Sequence, residues 1–312
     1  MRVAAILAVT AAFVGGGAAS AAVVDPLNVL QHVNALVYTS GSTTADIEGQ
    51  AIIGGTFSGA TMYNNPVVAP MSGYGALTVY GSTSGNSINI NNGGSAFVAG
   101  AHGANINFNG GGHYTTSVPN TLSELTTAMS GFSSALSGLA ANSFLPTAGN
   151  NEVIVANPNA KGVAIFDVTT AQLAAIPSYS INLNGAKTVL FNVEGSTLNF
   201  NANEQFNASA FASVAGSVIW NFYDATSLTF GTQIAGSVLA PGAAVTNNNQ
   251  IDGSLVAYSW TGQGELHDNL FTGISPLAVP EPGVWALMMV GIGMVGGALR
   301  KRRRLARAAQ AA

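Results

Sequence analysis

Residues 236–257 have the sequence GSVLAPGAAVTNNNQIDGSLVA, in which a Gly-Ser pair precedes an apolar run twice, 17 residues apart. A third such pair begins at Gly216, 20 residues before Gly236. A repeat of about twenty residues is too small to bury a core alone, so consecutive repeats must stack and share one. Gly and Asn tolerate the positive φ angles of tight turns. The spacing therefore predicts a mainly β fold, a right-handed parallel β-helix.

Short runs that alternate an apolar residue with Asn occur elsewhere in the chain. Residues 88–91 and 106–109 begin 18 residues apart, and residues 181–184 and 198–201 begin 17 apart. This period of two is typical of strands, and Asn residues on neighbouring coils can form hydrogen-bonded ladders. Turn signals every roughly 8–12 residues also fit an antiparallel sandwich, which is the alternative fold. The 17–20-residue spacing favours the β-helix.

Residues 121–141 predict one amphipathic helix. Thr121 and Glu124 have the spacing of a capping box. The apolar residues that follow are spaced 3-4-3-4-3, which forms a stripe on one helical face; they are Leu122, Leu125, Met129, Phe132, Leu136 and Leu139. We expect this helix to pack along one face of the stack. A shorter helix is expected to begin at Asp25 and Pro26.

The charges exclude several classes of protein. Hydrophobic residues make up 48% of the chain and charged residues only 7%, which is unlike a disordered segment. Residues 22–279 hold two lysines and twelve acids, so their formal charge is 2 − 12 = −10. Such a body repels phosphate backbones, so nucleic acid is not expected as a partner. The absence of Cys excludes disulfides, thiolate metal sites and a cysteine nucleophile.

The two ends have the pattern of export and membrane segments. Residues 1–22 combine Arg2, an apolar run and small residues at 19–22, as in a secretory signal peptide. Residues 283–299 are uncharged and long enough, at about 1.5 Å per residue, for a short transmembrane helix. A basic cluster follows and is expected to stay cytoplasmic with the rest of the tail 300–312; it consists of Arg300, Lys301, Arg302, Arg303 and Arg304.

The C-terminal segment resembles the PEP-CTERM sorting signal of Gram-negative bacteria. The motif Val279, Pro280, Glu281 and Pro282 precedes the short Gly-rich helix and the Arg-rich end in that order. The resemblance implies exosortase and the secretion machinery as partners, and cleavage near the motif. It further implies a transient inner-membrane anchor, followed by release to the cell surface or extracellular matrix.

The body, residues 23–275, resembles the choice-of-anchor A domains, with residues 276–282 as linker and motif. Residues 46–55 (DIEGQAIIGG) are similar to the opening signature of that family. Residues 236–241, 253–257, 264–267 and 271–273 are similar to its closing signature. The resemblance implies a surface or matrix protein without enzymatic activity, and it supplies no catalytic residues.

The residues offer little catalytic chemistry. No His pair has metal-ligand spacing, no Gly-x-Ser-x-Gly elbow occurs, and no cofactor is expected. Glu265, His267 and Asp268 form the one candidate cluster. On a strand, Glu265 and His267 would share a face and could bind a metal or each other. The alternative is that they cap the last coil with polar hydrogen bonds.

The predicted function is that of a non-enzymatic surface or matrix protein, structural or adhesive and associated with exopolysaccharide or surface glycan. Aromatic residues could stack on sugars, although core packing explains Trp220 equally well; the candidates are Trp220, Tyr223, Tyr258 and Trp260. The alternative is a flat-faced β-helix that binds ice or glycan. An ice-binding face is expected to carry Thr-x-Thr rows, whereas the chain has Asn-x-Asn at 105–109 and 199–203. A polysaccharide-degrading enzyme fits least, since the acids are scattered.

Overall fold

The computed structural model describes residues 23–176, 178–200, 205–206 and 213–277. The predicted signal peptide (1–22), sorting motif, transmembrane helix (283–299) and basic tail lie outside the described residues. Among the residues that are described, no helix is both long and apolar enough to cross a bilayer.

The described residues form short strands, three α-helices and a single 3-10 turn, Ala215–Ser217. The helices are α1 (Pro26–His32), α2 (Leu122–Ser137) and α3 (Thr170–Ala174). The strands, in chain order, are β1 (Val33–Val37), β2 (Gly41–Thr43), β3 (Gln50–Ile53), β4 (Phe57–Ser58), β5 (Thr61–Met62), β6 (Leu77–Val79), β7 (Ile88–Ile90), β8 (Ala96–Val98), β9 (Ile106–Phe108), β10 (Asn150–Val155), β11 (Val163–Thr169), β12 (Ser178–Asn182), β13 (Thr188–Glu194), β14 (Thr197–Phe200), β15 (Gln205–Phe206), β16 (Val218–Asn221), β17 (Ser227–Phe230), β18 (Ile234–Ala235), β19 (Ser237–Asn247), β20 (Ile251–Asp252), β21 (Leu255–Gly262) and β22 (Leu266–His267).

These strands wind into a parallel β-helix whose complete coils visit three faces in turn. Face A has the strand order β11-β13-β16-β19-β21-β1-β3-β6-β8. Face B contains β14, β17, the second halves of β19 and β21, β2 and β4. Face C contains three short sheets, β10-β12-β15 at one end, then β18-β20-β22, then β5-β7-β9. Ile47 lies between the last two sheets and forms a bridge to each of them. All pairings among the described residues are parallel, so the β-helix prediction is confirmed and the antiparallel sandwich is wrong. The right-handed sense stays a prediction.

The order of coils in space differs from their order in the chain. The chain enters in the middle of the stack at β1 and builds coils outward to β9. Helix α2 then returns to the far end, from which the coils advance until β21 pairs with β1, with Ala35 opposite Leu255. Two half-stacks distant in sequence thus form one continuous core.

Helix α2 packs along face A, as its apolar stripe predicts. The Thr121–Glu124 capping box is formed, and the helix ends at Ser137, short of 141, with Gly138 as its C-cap. Leu122 lies beside Gly54, after β3, and the Leu136 carbonyl accepts from Asn192 on β13 at 2.9 Å. Fourteen residues at about 1.5 Å span ~21 Å, close to the ~24 Å of five coil steps of ~4.8 Å between these strands. The helix length therefore matches the stack that it covers.

The core inside the coils consists of like residues stacked on like residues. Phe166, Phe191 and Trp220 occupy equivalent positions on β11, β13 and β16, with ring centroids 4.7 and 4.2 Å apart. The Trp220 indole N–H donates to the Ala235 carbonyl at 2.9 Å, so its polar group is satisfied inside the core. Parallel in-register stacking places identical positions of successive coils in contact, which explains why each coil can be so short.

Candidate functional site

Face B presents two columns of small polar side chains to solvent. The strand registers align one outward position of each coil with the same position of the next. The first column contains Thr197, Ser227, Ala244, Ser259, Ser40, Thr56 and Ser82. The second column contains Asn199, Thr229, Thr246, Thr261, Ser42, Ser58 and Ser84. Twelve of these fourteen positions carry a hydroxyl group and none carries a charge, and we call this surface the hydroxyl face.

Large side chains lie beneath the hydroxyl face and only small ones above, and a shallow hollow of about 320 Å³ lies over part of its two columns. Leu228, Phe230 and Phe57 point inward and are fully buried. Trp260 is 2% exposed, and its indole N–H donates to the Asn247 side-chain oxygen at 2.7 Å. Neighbouring hydroxyls are spaced about 4.8 Å along the stack and about 6.6 Å along a strand. The face is therefore a regular grid of donors and acceptors.

A threonine row does exist, contrary to the expectation from the sequence. Thr229, Thr246 and Thr261 are opposite one another on three successive coils. A search for Thr-x-Thr within one strand misses this row, because its members come from different coils. The signal that could have revealed it is the recurrence of Ser-x-Thr, at Ser227–Thr229 and Ser259–Thr261.

The asparagine ladders are confirmed, and in the described residues the exposed ones lie on face C. The Asn107 amide donates to Asn89, and the Asn109 amide donates to Asn91, each at 2.9 Å. Asn91 in turn donates to Asn64 at 2.9 Å. Because the amides bond to one another, these ladders stabilise the stack and offer fewer open groups than the hydroxyl face. Asn199 lies on the hydroxyl face, and residues 201 and 203 are outside the described part.

The structure brings Glu265 and His267 together and adds Asp252, which the sequence did not indicate. His267 Nδ1 lies 2.6 Å from Asp252 Oδ1, and Nε2 lies 3.1 Å from Glu265 Oε2. The hydrogen bond to Asp252 is the main cause that raises the pKa of His267 to about 9, so the ring is an imidazolium at neutral pH. The coil of β22 is the last along the chain, yet it pairs with β20 on one side and Ile47 on the other. The cluster thus lies beside the junction of the two half-stacks, in mid-stack.

Asp268 points away from this cluster, toward the loop before β6. It is 2% exposed, and its Oδ2 accepts from the backbone N–H groups of Val67 (2.6 Å) and Val68 (3.3 Å). Its burial raises the pKa of the carboxyl to about 6. The residue holds the loop before β6 against the last turn of the chain. In the described part, no three His, Asp or Glu side chains are grouped so as to hold a metal.

The four aromatic candidates separate into two kinds. Trp220 and Trp260 are 0% and 2% exposed and belong to the core. Tyr223 and Tyr258 are 37% and 51% exposed, and both lie where the chain turns from face A to face B. Only the two tyrosines can therefore meet a ligand from solvent.

Comparison with known proteins gives a family for the body and a sorting motif for the C-terminal end. Residues 26–268 match the ice-binding-like adhesive domain family. Residues 278–304 match the PEP-CTERM protein-sorting motif, which confirms that prediction. The match names no choice-of-anchor A family. No curated protein is significantly similar to the chain.

Among solved structures, the chain is similar to an ice-binding protein from the Antarctic ascomycete Antarctomyces psychrotrophicus. The two share 15% identity over 77% of this chain and 96% of the other, with a TM-score of 0.39. An ice-binding protein domain from Shewanella frigidimarina is 12% identical over 80% and 98% of the two chains, with a TM-score of 0.35. By its match over residues 26–268, the chain belongs to the ice-binding-like adhesive domain family, and it ends in a PEP-CTERM sorting motif.

Proposed function

We propose that the mature protein is a non-enzymatic adhesin of the bacterial surface or extracellular matrix that binds exopolysaccharide through the hydroxyl face. The observation that carries the proposal is the grid of twelve outward hydroxyls in two columns that hold no charge. Each hydroxyl can both donate and accept, as can the hydroxyls of a sugar. Single contacts of this kind are weak, but a repetitive face meeting a repetitive polymer binds through many at once.

The electrostatics favour a neutral polymer. The two columns of the hydroxyl face hold no charge, and residues 22–279 carry a formal charge of −10. A polyanionic glycan would be repelled by that field, whereas a neutral polysaccharide meets no such cost.

The place where the chain leaves the β-helix also supports binding through the hydroxyl face. Residues 271–274 cross back over the stack, where the Thr272 N–H donates to the Gly216 carbonyl at 2.7 Å and the Thr188 hydroxyl donates to the Ile274 carbonyl at 2.8 Å. Gly216 and Thr188 both lie where coils pass from face C to face A, the edge opposite face B. A body tethered through its C-terminal end would therefore present the hydroxyl face away from the tether.

The PEP-CTERM motif implies sorting by an exosortase and a cell-surface or extracellular location in a Gram-negative bacterium. As part of the proposal, residues 1–22 are a signal peptide and residues 283–299 a transient inner-membrane anchor that processing removes. The choice-of-anchor A architecture, one domain attached by one of several anchors, belongs to the same proposal.

Ice is the second candidate ligand, and the stacked row Thr229, Thr246 and Thr261 favours it. A row of identical hydroxyl and methyl groups at regular spacing can order water as well as it can contact sugar. The family to which the chain belongs is consistent with either ligand.

A pelleting assay separates these ligands. Mature protein released from the cell surface is mixed with insoluble exopolysaccharide from the producing cells, and the bound fraction is measured with Thr246→Lys/Thr261→Lys and with an equally charged control, Ala171→Lys/Ala174→Lys on the exposed side of α3. We expect the face variant to lose binding and the control to keep it. Thermal hysteresis and ice-crystal shaping are measured on the same proteins. Equal polysaccharide binding by both variants would contradict the proposal, and ice shaping without polysaccharide binding would select the second candidate.

A further inference from the structure

The edge between faces A and B carries a column of ring side chains, which we call the tyrosine edge. Extending the strand registers by one or two positions places one residue of each coil at this edge. In stacking order these residues are Thr169, Glu194, Tyr223, Pro241, Tyr258, Tyr38, Gly54, Tyr80 and Ala99. Five of the nine are rings, and these are consecutive except for Gly54, for which a Cβ would collide with the Tyr38 carbonyl oxygen.

Two of these tyrosines are fixed, one against helix α2 and one against the residue that precedes its N-cap. The Tyr38 hydroxyl donates to the Thr126 carbonyl at 3.3 Å and lies 3.2 Å from the Ser130 hydroxyl. The Tyr80 hydroxyl donates to the Asn120 carbonyl at 2.5 Å. Burial raises the pKa of Tyr38 to about 12, so the phenol stays neutral. These residues form a rigid base at one half of the edge.

The other two tyrosines are open to solvent, and polar groups flank them on both sides. Tyr258 is 51% exposed and Tyr223 37% exposed. The hydroxyl face begins one residue after Tyr258, at Ser259. On the other side, a hollow of about 250 Å³ lies between α2 and the coils, lined among others by Ser137, Asp167, Glu194 and Tyr223.

We propose that the tyrosine edge binds a single chain of a neutral linear polysaccharide, lying along the stack axis with its rings on Tyr258, Pro241 and Tyr223 and its end in the hollow beside Glu194. This inference rests on the proposed function and names the polymer class and its direction. Tyr223 and Tyr258 are two coil steps apart, about 9.6 Å, so one extended chain can meet both.

The chemistry of the edge suits sugar rings. The apolar face of a pyranose packs on an aromatic ring, while the sugar hydroxyls on its rim need donors and acceptors. Carboxylates of Asp167 and Glu194 accept such hydrogen bonds strongly. The edge thus offers both a stacking surface and acceptors.

The same carboxylates exclude acidic glycans. Asp224, Glu194 and Asp167 lie near enough to Tyr223 to add to the rise in the pKa of its phenol, for which burial is the main cause. The described residues contain only two cations of fixed charge, Lys161 and Lys187, and neither lines the hollow. A uronic-acid polymer would therefore meet repulsion without a compensating partner.

The test uses soluble hexasaccharides and the mature protein. Dissociation constants are measured by calorimetry for cellohexaose, laminarihexaose and maltohexaose, and for hexagalacturonate as the acidic probe. The variants are Tyr258→Ala, Tyr223→Ala and Tyr258→Phe, with Phe144→Ala as a control because Phe144 is 78% exposed and remote from the edge in sequence. We expect at least one neutral hexasaccharide to bind, about tenfold more weakly to each tyrosine-to-alanine variant, and unchanged to Tyr258→Phe and the control.

The outcomes distinguish this inference from the proposed function. Binding that is unchanged in both alanine variants, or binding of hexagalacturonate as tight as that of the neutral sugars, would overturn the tyrosine edge as the site. The tyrosine edge is also overturned, and the proposed function kept, if no neutral hexasaccharide binds while Thr246→Lys/Thr261→Lys still abolishes pelleting with insoluble polysaccharide. If the tyrosine variants bind hexasaccharides like wild type and the Thr246→Lys/Thr261→Lys variant pellets with polysaccharide like wild type, both proposals are overturned.

Discussion

Replacement of Asn221 by alanine should weaken the attachment of helix α2 to face A at a measurable cost. Asn221 is fully buried on β16, and its side chain accepts from the Ser133 hydroxyl at 2.6 Å. Its amide donates to the Ser133 carbonyl at 3.0 Å and to Asn192 Oδ1 at 2.9 Å. Asn192 continues the network to the Leu136 carbonyl. This network is a polar link between the helix and the coils.

The magnitude follows from the partners that the substitution leaves behind. The Ser133 carbonyl and Asn192 Oδ1 both lose a donor in a buried site, at about 1–3 kcal/mol each. The Ser133 hydroxyl can turn to a carbonyl of its own helix, so it adds little. We expect a loss of about 2–6 kcal/mol in the free energy of unfolding, a large part of the ~5–15 kcal/mol typical of a domain.

Equilibrium unfolding in urea measures this loss, with Ser134→Ala as the matched control. Ser134 is the neighbouring serine on the exposed side of α2, and its replacement should change stability by less than about 0.5 kcal/mol. A Ser133→Ala/Asn221→Ala double variant should be less destabilised than the sum of the two single variants, since the partners are shared. A single hydrogen bond typically contributes about 1 kcal/mol to stability. If the free energy of unfolding of Asn221→Ala lies within that amount of the wild-type value, this account of how α2 is held is refuted.

Three further predictions concern the core, the charged cluster and processing. Phe132→Asp places an unpaired charge under α2 and should cost several kcal/mol, measured in urea, whereas a melting curve like that of wild type would mean that the apolar stripe is not buried. The pKa of His267 is raised from 6.5 to about 9, so its contribution to stability is complete below pH 6.5 and is lost as the pH rises to 9; the melting temperature should fall over that range in wild type and stay flatter in His267→Gln. The intact mass of surface-released protein should lack the residues after about 281, and recovery of protein that still carries Arg300 would indicate a permanent anchor.

The β-helix and α2 could be predicted because both leave local marks in the sequence. The 17–20-residue spacing of Gly-Ser pairs reflects one coil, and the 3-4 spacing of apolar residues reflects one helical face. The order of coils left no such mark. Ala35 pairs with Leu255, but the apolar runs around these two residues resemble those of the other coils. Their sequences therefore do not specify which strands pair.

The candidate site could be predicted only in part, for the same reason. Residue type alone identifies Tyr223 and Tyr258, but it also groups them with Trp260, which fills the core. Its burial follows from the bend within β21, where Tyr258 lies on the edge between faces and Trp260 points inward beneath the hydroxyl face. The threonine row and the Asp252–His267 contact each join different coils, so both required the register of the stack.

The most direct test of the account is made on the cells that export the protein. The chromosomal gene is altered to encode Thr246→Lys/Thr261→Lys or the control Ala171→Lys/Ala174→Lys, and the exopolysaccharide retained by washed cells is measured beside the amount of protein at the surface. The account predicts that both proteins reach the surface equally, and that only the hydroxyl-face variant releases polysaccharide on washing. Equal retention by both strains, with equal surface protein, would contradict the claim that this face is the adhesive surface.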